Sequence, residues 1–252
     1  MEIVTLLATI RLVTHLNVLR HGAPATGPGT GVPSIDVAAR TVQGQDAAHH
    51  VTSPDALLGL PPEHASTLEE AMEAALAYDS SDWVLALPRP GKLGPLRGPA
   101  ELTRAALDAG AAVIPREGGP AWVPTRVGPA VQWVLVRADR PFPPVSAAEA
   151  EHALSLAIVA ATSELDRLGM VSGRRPGTTG LLLPAAYPAR QRHSADRALR
   201  LVEACEAGLA DESGLLHAQA VDVRARTLRT LLNAALDSLE ASCAWPPDDL
   251  DD

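Results

Sequence analysis

The spacing of apolar residues in the C-terminal third of this chain constrains its fold more than any other feature. Ala195, Ala198, Val202, Cys205 and Leu209 follow one another at intervals of three or four residues. After the short polar stretch "ADESG" the same spacing continues. Because such intervals place residues on one face of an α-helix, the sequence predicts two long helices that fold back on each other as an antiparallel hairpin.

The apolar face of the second predicted helix is a candidate interaction surface, which we term the interaction seam. It consists of Ala218, Val221, Ala225, Leu228, Leu232, Ala235 and Leu239. Leu231 and Leu236 lie off this face, so the helix needs a second apolar neighbour. That neighbour is either the helix predicted for residues 146–168 or another copy of the chain.

Residues 66–138 carry the pattern of a small sheet with covering helices. The apolar runs "AAVIP", "AWVPTRV" and "AVQWVLVRA" are separated by Gly- and Pro-containing turns too short for crossovers, which predicts antiparallel strands. "DWVLALP" predicts a further strand. Helices are predicted at "STLEEAMEAALAY", with Ser66 as N-cap and Glu69 completing a capping box, and at "GPAELTRAALDAG", with Pro99 in the first turn.

The sequence therefore predicts an α+β protein: a small, mostly antiparallel sheet covered by helices, followed by a long C-terminal antiparallel helical hairpin. Residues 1–65 are predicted to be a poorly ordered or irregular N-terminal arm, since residues 22–65 are rich in Gly, Pro, Ala and Thr. Residues 66–170 form the α+β core. Residues 171–252 form the hairpin, packed on the core or on a second subunit, with an acidic tail.

The first twenty residues are apolar, but Arg11 and His15 interrupt the run. We therefore expect no membrane span and a cytoplasmic protein. Cys205 and Cys243 have no spacing typical of metal ligands or redox pairs, so two buried thiols are expected.

The charge of the chain restricts its partners. The formal net charge is −9, and the 21 basic residues comprise 20 Arg and the single Lys92. Binding to nucleic acid or to anionic membranes draws on clustered basic residues, so neither partner is expected in this acidic, Arg-rich and Lys-poor chain. The pronounced Arg bias also makes any individual Arg a weak indicator of function.

The tripeptide Arg20-His21-Gly22 resembles the opening motif of the histidine phosphatase superfamily, in which a strand delivers a nucleophilic His to the phosphoryl group. In that family a later Arg helps to hold the phosphate, and "VTSPDALLGL" at 51–60 faintly matches the segment that carries it. No Arg stands between Arg40 and Arg89, however, so the sequence predicts a short polar turn rather than a phosphatase site.

The loop "PRPGKLGPLRGPAE" at 88–101 is the better candidate for ligand binding. A Gly-rich loop that enters a helix N-terminus offers N–H groups to an anion, and Arg89, Lys92 and Arg97 supply positive charge. The loop lacks the order of residues of a Walker A motif. His49 and His50, with Asp46 nearby, lack the helical spacing of a metal site, so no metal and no cofactor are predicted.

Two functions follow from these patterns. The first is a non-catalytic, cytoplasmic protein that acts through protein–protein contacts, with the helical hairpin serving self-association or the docking of a protein partner. The alternative is a phosphate- or nucleotide-binding enzyme or regulator that uses the basic loop at 88–101. The first is favoured because no catalytic motif is found in the sequence.

Overall fold

The computed structural model describes residues 3–22, 33–78, 81–168, 183–210 and 218–246. The chain divides into two compact units. The sheet unit comprises Met1–Pro144, Leu183–Pro188 and Cys243–Asp252, and the helical unit comprises Val145–Leu182 and Ala189–Ser242. Because the helical unit begins at 145, the helix at 146–168 belongs with the hairpin helices and not with the core predicted for 66–170.

The sheet unit is built on one mixed sheet. Its strands are β1 (His49–Thr52), β2 (Ser66–Thr67), β3 (Trp83–Ala86), β4 (Ala112–Pro115), β5 (Gly119–Val127) and β6 (Ala130–Ala138). Their spatial order is β2-β1-β6-β5-β4-β3. β1 runs parallel to β6, and the other neighbouring pairs are antiparallel. This confirms the small, mostly antiparallel sheet.

Helices cover this sheet and make up the other unit. The sheet unit contains α1 (Ile3–His21), α2 (Ile35–Gln43), α3 (Leu68–Tyr78) and α4 (Ala100–Ala109), with a short 3₁₀ turn at Leu57–Gly59. The helical unit contains α5 (Ala147–Arg167), α6 (Ala189–Ala210) and α7 (Ala218–Cys243). The pair α6 and α7 confirms the C-terminal helical hairpin, and the α+β class is confirmed with it.

The N-terminal segment corrects the prediction of an irregular arm over residues 1–65. α1 is buried from Thr5 to Val18 apart from Arg11, and β1 lies inside the sheet. Within α1, Thr9 and Thr14 donate their hydroxyl hydrogens to carbonyls one turn earlier, at 2.6 and 2.8 Å, which makes their burial possible. A helix surrounded on most sides shows no one-sided apolar pattern, and this is why the sequence did not reveal it. Residues 23–32 of the predicted arm lie outside the described residues.

α1 also bears on the expectation that no segment spans a membrane. By length and composition it is long and apolar enough to do so, and in the structure 72% of this stretch is buried. A buried core helix and a membrane helix share this composition, so the helix by itself does not indicate a membrane location.

The two faces of the sheet have different cores. α4 covers one face, where Leu102 and Ala106 pack with Ile114 and Val123. Trp83, Trp122 and Trp133 point to the opposite face, as the strand register requires, and stack edge-to-face with centroids 6.5 and 6.3 Å apart. α1 packs against β3, β4 and β5, with α2 and α3 beside it.

One edge of the sheet is bonded by a side chain. β3 is an edge strand, and the buried Asn17 of α1 accepts the Trp83 N–H at 2.8 Å and donates to the Trp83 carbonyl at 3.0 Å. The amide thus imitates a neighbouring strand. Asn17 also donates to the hydroxyl of Tyr187 at 3.3 Å, and Tyr187 donates to the Cys243 carbonyl at 3.1 Å. This network ties the segments 183–188 and 243–246 to the sheet unit.

The start of α3 differs by one residue from the prediction. Thr67, not Ser66, accepts the Glu70 N–H, and the Glu70 carboxylate accepts the Thr67 N–H. Ser66 lies in β2, opposite Val51 of β1. The predicted capping box of Ser66 and Glu69 was therefore wrong by one residue. The reason is that β2 ends directly before α3, and Ser66 belongs to that strand.

The helical unit joins α5, α6 and α7. Arg190 of α6 donates to the Glu151 carboxylate of α5 at 2.8 Å, and Gly208 of α6 lies against Leu228 of α7. Ser146 caps α5 through a capping box with Glu149. The apolar seam predicted for α6 is buried at Ala195, Ala198, Val202 and Cys205 and partly exposed at Leu209.

Candidate functional site

The three basic residues of the loop at 88–101 do not converge on one point. Arg89 and Lys92 form a tight turn in which each backbone N–H donates to the other's carbonyl at 2.9 Å. The Arg89 guanidinium donates to the Leu87 carbonyl at 3.0 Å. Arg97 alone of the three lines an open cavity of about 570 Å³ at the N-terminus of α4.

The lining of this cavity has mixed charge. Arg97 and Arg104 line it, and so do Asp108 and Asp139. The Arg97 guanidinium lies 4.8 Å above the ring of Phe142, which holds it by a cation–π contact. Two carboxylates beside two guanidinium groups give no net positive charge, so the loop is a weaker anion cradle than the sequence suggested.

The interaction seam of α7 changes character along its length. Leu228, Ala235 and Leu239 are buried, Ala225 and Leu232 are partly exposed, and Val221 is 44% exposed. The placement of the Ala218 side chain lies outside what the structure describes. The off-seam residues Leu231 and Leu236 are buried as well. The C-terminal half of the seam is therefore occupied within the chain and offers no surface to a partner.

An exposed apolar surface lies instead on α5. Leu156 and Val159, one turn apart, are 59% and 66% exposed, and the neighbouring Ala153 and Ala160 are exposed too. His152 lies four residues before Leu156, and Ser163 lies four residues after Val159, so both continue the same face of the helix. We term the residues 149, 152, 156, 159, 163 and 167 the outer stripe of α5.

Sequence reasoning missed this stripe for an identifiable reason. The helix predicted for residues 146–168 buries a different face, at Ala150, Leu154 and Ala161. An Ala-rich helix carries apolar residues on all sides, so intervals of three and four fit more than one face. The second set of such intervals, at 152, 156, 159 and 163, is the sequence pattern from which the stripe could have been predicted.

A groove between α5 and α7 borders this surface. Its cavity measures about 350 Å³ and is lined on the α5 side by Ala157, Ala160, Ala161 and Glu164. Val223, Arg226, Thr227 and Thr230 line it on the α7 side. The alanines of α5 and the threonines of α7 leave a depression beside the outer stripe, and Glu164 and Arg226 add charge to its lining.

His49 belongs to a buried polar chain and is not available as a base. The Trp133 indole N–H donates to His49 Nδ1 at 3.2 Å, so Nε2 carries the proton and donates to Asp46 at 3.1 Å. Arg126 in turn donates to Asp46 at 3.3 Å. Burial lowers the pKa of His49 against the opposing effect of Asp46, and both ring nitrogens are occupied.

His21 ends a helix and not a strand, unlike the His of the phosphatase motif. Its Nε2 lies 2.5 Å from the Asp82 carboxylate, and Arg116 reaches the same carboxylate at 3.0 Å. The imidazole stacks on the Trp245 ring, with centroids 4.5 Å apart and planes nearly parallel. These contacts attach the residues around Trp245 to the end of α1.

The remaining nucleophile candidates are also buried. Cys205 and Cys243 are thiols inside the structure, and burial raises the pKa of Cys205 to about 12. Within the described ranges, no three His, Cys, Asp or Glu side chains come together as a metal site would require.

The fold and these surfaces define an α+β protein with a sheet unit and a three-helix unit. A family model described as "Rv1486c-like protein, N-terminal domain" matches residues 25–150, and its C-terminal counterpart matches residues 148–239. The chain therefore belongs to the Rv1486c-like family. The junction of the two matches lies within a few residues of Val145, where the helical unit begins. Neither the curated proteins nor the solved structures provide a match.

Proposed function

We propose that the protein is non-catalytic and acts in the cytoplasm through protein–protein contacts of its helical unit. The observation that carries this proposal is the outer stripe of α5, where two large aliphatic side chains are more than half exposed one turn apart. Adjacent apolar side chains left in water typically mark a binding surface. The surface differs from the seam that the sequence predicted, because much of that seam is buried.

The chemistry of two buried side chains, one in each unit, supports the non-catalytic part of the proposal. Both nitrogens of His49 are engaged in hydrogen bonds, and the Cys205 thiol stays protonated at neutral pH. Neither group can act as a general base or a nucleophile in this state. The net charge of −9 supports a protein partner over nucleic acid or an anionic membrane.

The proposal is tested by site-specific photo-crosslinking in the producing cell. A benzophenone amino acid replaces Val159 in the full chain, and in a matched control it replaces Val127, an exposed valine at the end of β5. We expect one discrete adduct from position 159, which disappears when Leu156→Glu is added to the same chain. No adduct above the level at 127, or an adduct that persists with Leu156→Glu, would refute the proposal.

The anion-binding alternative retains one supporting observation, the position of Arg97 beside the N-terminus of α4. We rank it second because Asp108 and Asp139 line the same cavity. A ligand at 100 times its dissociation constant adds about 2.7 kcal/mol to the free energy of unfolding. A rise in melting temperature with inorganic phosphate that Arg97→Gln removes would favour this alternative; we expect no such rise.

A further inference from the structure

We infer that the partner of the outer stripe is a second copy of this chain, with the two α5 helices packed antiparallel about a two-fold axis near residues 157 and 158. This inference rests on the proposed function and specifies its partner. It follows from the order of residues along the stripe, which is complementary to its own reverse.

The apolar centre of the stripe can pair with itself. An antiparallel arrangement places Leu156 of one copy against Val159 of the other, and the two-fold axis repeats that contact. The next layer outward sets His152 against Ser163, and the intervals of three and four residues match the spacing of knobs-into-holes packing. The exposed Ala153 and Ala160 beside these layers allow close approach of the two helices.

The charges at the ends of the stripe fit the same arrangement. Glu149 stands in the first turn of α5 and Arg167 in the last, and both are exposed. Antiparallel pairing brings Glu149 of each copy level with residue 166 of the other and within one residue of Arg167, whereas parallel pairing sets like charges side by side. Arg167 continues the stripe, and the exposed Asp166 lies about 100° round the helix from it. The opposed helix dipoles favour the antiparallel pair as well.

The hydrogen bonds that Glu149 and Arg167 make within one chain leave both side chains able to pair with another copy. The Glu149 capping-box contacts to Ser146 use one carboxylate oxygen, Oε2. Arg167 donates one N–H to Glu164 at 2.6 Å while its side chain remains 71% exposed. A guanidinium has five donors, so it can hold a second carboxylate at the same time.

The interface is small. One pair of 21-residue helices buries less than the roughly 1,600 Å² of a standard interface, so we expect a weak dimer whose population depends on protein concentration. Sedimentation velocity of the purified full chain over a concentration series measures it. Leu156→Glu should give a folded monomer, and Val127→Glu, the matched control in the other unit, should leave the dimer unchanged.

A double-mutant cycle tests the antiparallel pairing. Arg167→Glu creates two Glu–Glu contacts per dimer and should weaken dimerisation roughly three- to tenfold. Adding Glu149→Gln preserves the capping box, since Gln can replace Glu there, and should recover part of that loss. Within one chain the two residues are about 27 Å apart along α5, so they can couple only between copies.

Each outcome is decisive for this inference. A wild-type chain that stays monomeric throughout the series overturns it, and so does a dimer in which the effects of the two substitutions simply add. If the purified chain is monomeric while position 159 still forms its crosslinked adduct in cells, the self-pairing fails and the proposed function stands. If neither the dimer nor the crosslinked adduct is observed, both the self-pairing and the proposed function are refuted.

Discussion

The sheet unit and the helical unit use apolar residues differently. In the sheet unit, three tryptophans and most of α1 are enclosed, and Asn17 bonds the backbone of Trp83 in the edge strand β3. In the helical unit, α5 buries Ala150, Leu154 and Ala161 while Leu156 and Val159 face water. The large apolar side chains that the sheet unit exposes, such as Val4 and Val127, lie on different elements, whereas Leu156 and Val159 lie one turn apart on the same helix. The comparison teaches that a candidate binding surface is identified from adjacent apolar side chains that remain exposed after the helices have packed.

Removal of residues 1–22 should have the largest effect on this comparison. α1 supplies Leu6, Ile10 and Leu12 to the core and Asn17 to the edge of β3, so the sheet unit should lose its cooperative unfolding transition. The loss of several fully buried side chains, each contributing about 2–5 kcal/mol, exceeds the stability of a typical domain. Urea unfolding followed by tryptophan fluorescence measures it, because all four tryptophans belong to the sheet unit.

The control for this deletion is Val4→Ala, a change at an exposed position of the same helix, which should leave the transition in place. A truncated chain that retained the sheet unit's transition would mean that α1 is dispensable, as an irregular arm would be.

Leu228→Asp should give the next largest effect, in the helical unit. Leu228 is buried against Gly208, so the substitution places a carboxylate without a partner between α6 and α7. The cost is several kcal/mol, whereas Arg229→Asp, at an exposed neighbouring position, should cost less than about 0.5 kcal/mol. Thermal unfolding of both variants gives the comparison, and equal costs would show that this part of the seam is not buried.

Asn17→Leu should destabilise the sheet unit by about 2–3 kcal/mol, because the Trp83 N–H and carbonyl lose their partners away from water. Tyr187→Phe removes a single hydroxyl from the same network and should cost about 1 kcal/mol. Amide hydrogen exchange locates the effect, which should be confined to the sheet unit. If Asn17→Leu left the free energy of unfolding unchanged, water would have to reach the edge of β3.

Lowering the pH should produce the smallest effect, again in the sheet unit. Burial lowers the pKa of His15 and of His49 below 6.5, so the unfolded chain binds protons first as the pH falls. Stability that is fully present above pH 6.5 is therefore lost progressively below it. His49→Gln should reduce the dependence of the free energy of unfolding on pH between about 7.5 and 5.5. An unchanged slope in His49→Gln would show that His49 accepts a proton in the fold.

The sequence predicted the elements whose signals are local. The strands β4, β5 and β6 follow one another with Gly turns between them, and α6 and α7 carry regular apolar intervals. β1 escaped prediction because its partner β6 lies about eighty residues away, and a short parallel pairing of this kind has no local signature. α1 escaped because a helix enclosed on most sides, with its threonines bonded to its own backbone, has no polar face.

The candidate site was predicted only in part, for a related reason. Charge and Gly content identified the loop of Arg89, Lys92 and Arg97, but the direction in which each side chain points depends on a turn that the sequence does not specify. Apolar spacing identified α5 and α7 as amphipathic. Which of several apolar faces remains exposed depends on how the helices pack, and intervals alone carry no information on that.

The position of the tryptophans gives the molecule an optical consequence. All four, at 83, 122, 133 and 245, belong to the sheet unit, and the helical unit has none. Intrinsic fluorescence therefore reports on the sheet unit alone, whereas ellipticity near 222 nm reports on the helices of both units. Trp245 stacks on His21, so part of that emission reports on the contact between the residues around Trp245 and the end of α1. The wild-type chain thus carries a built-in probe that separates the unfolding of its two units without any added label.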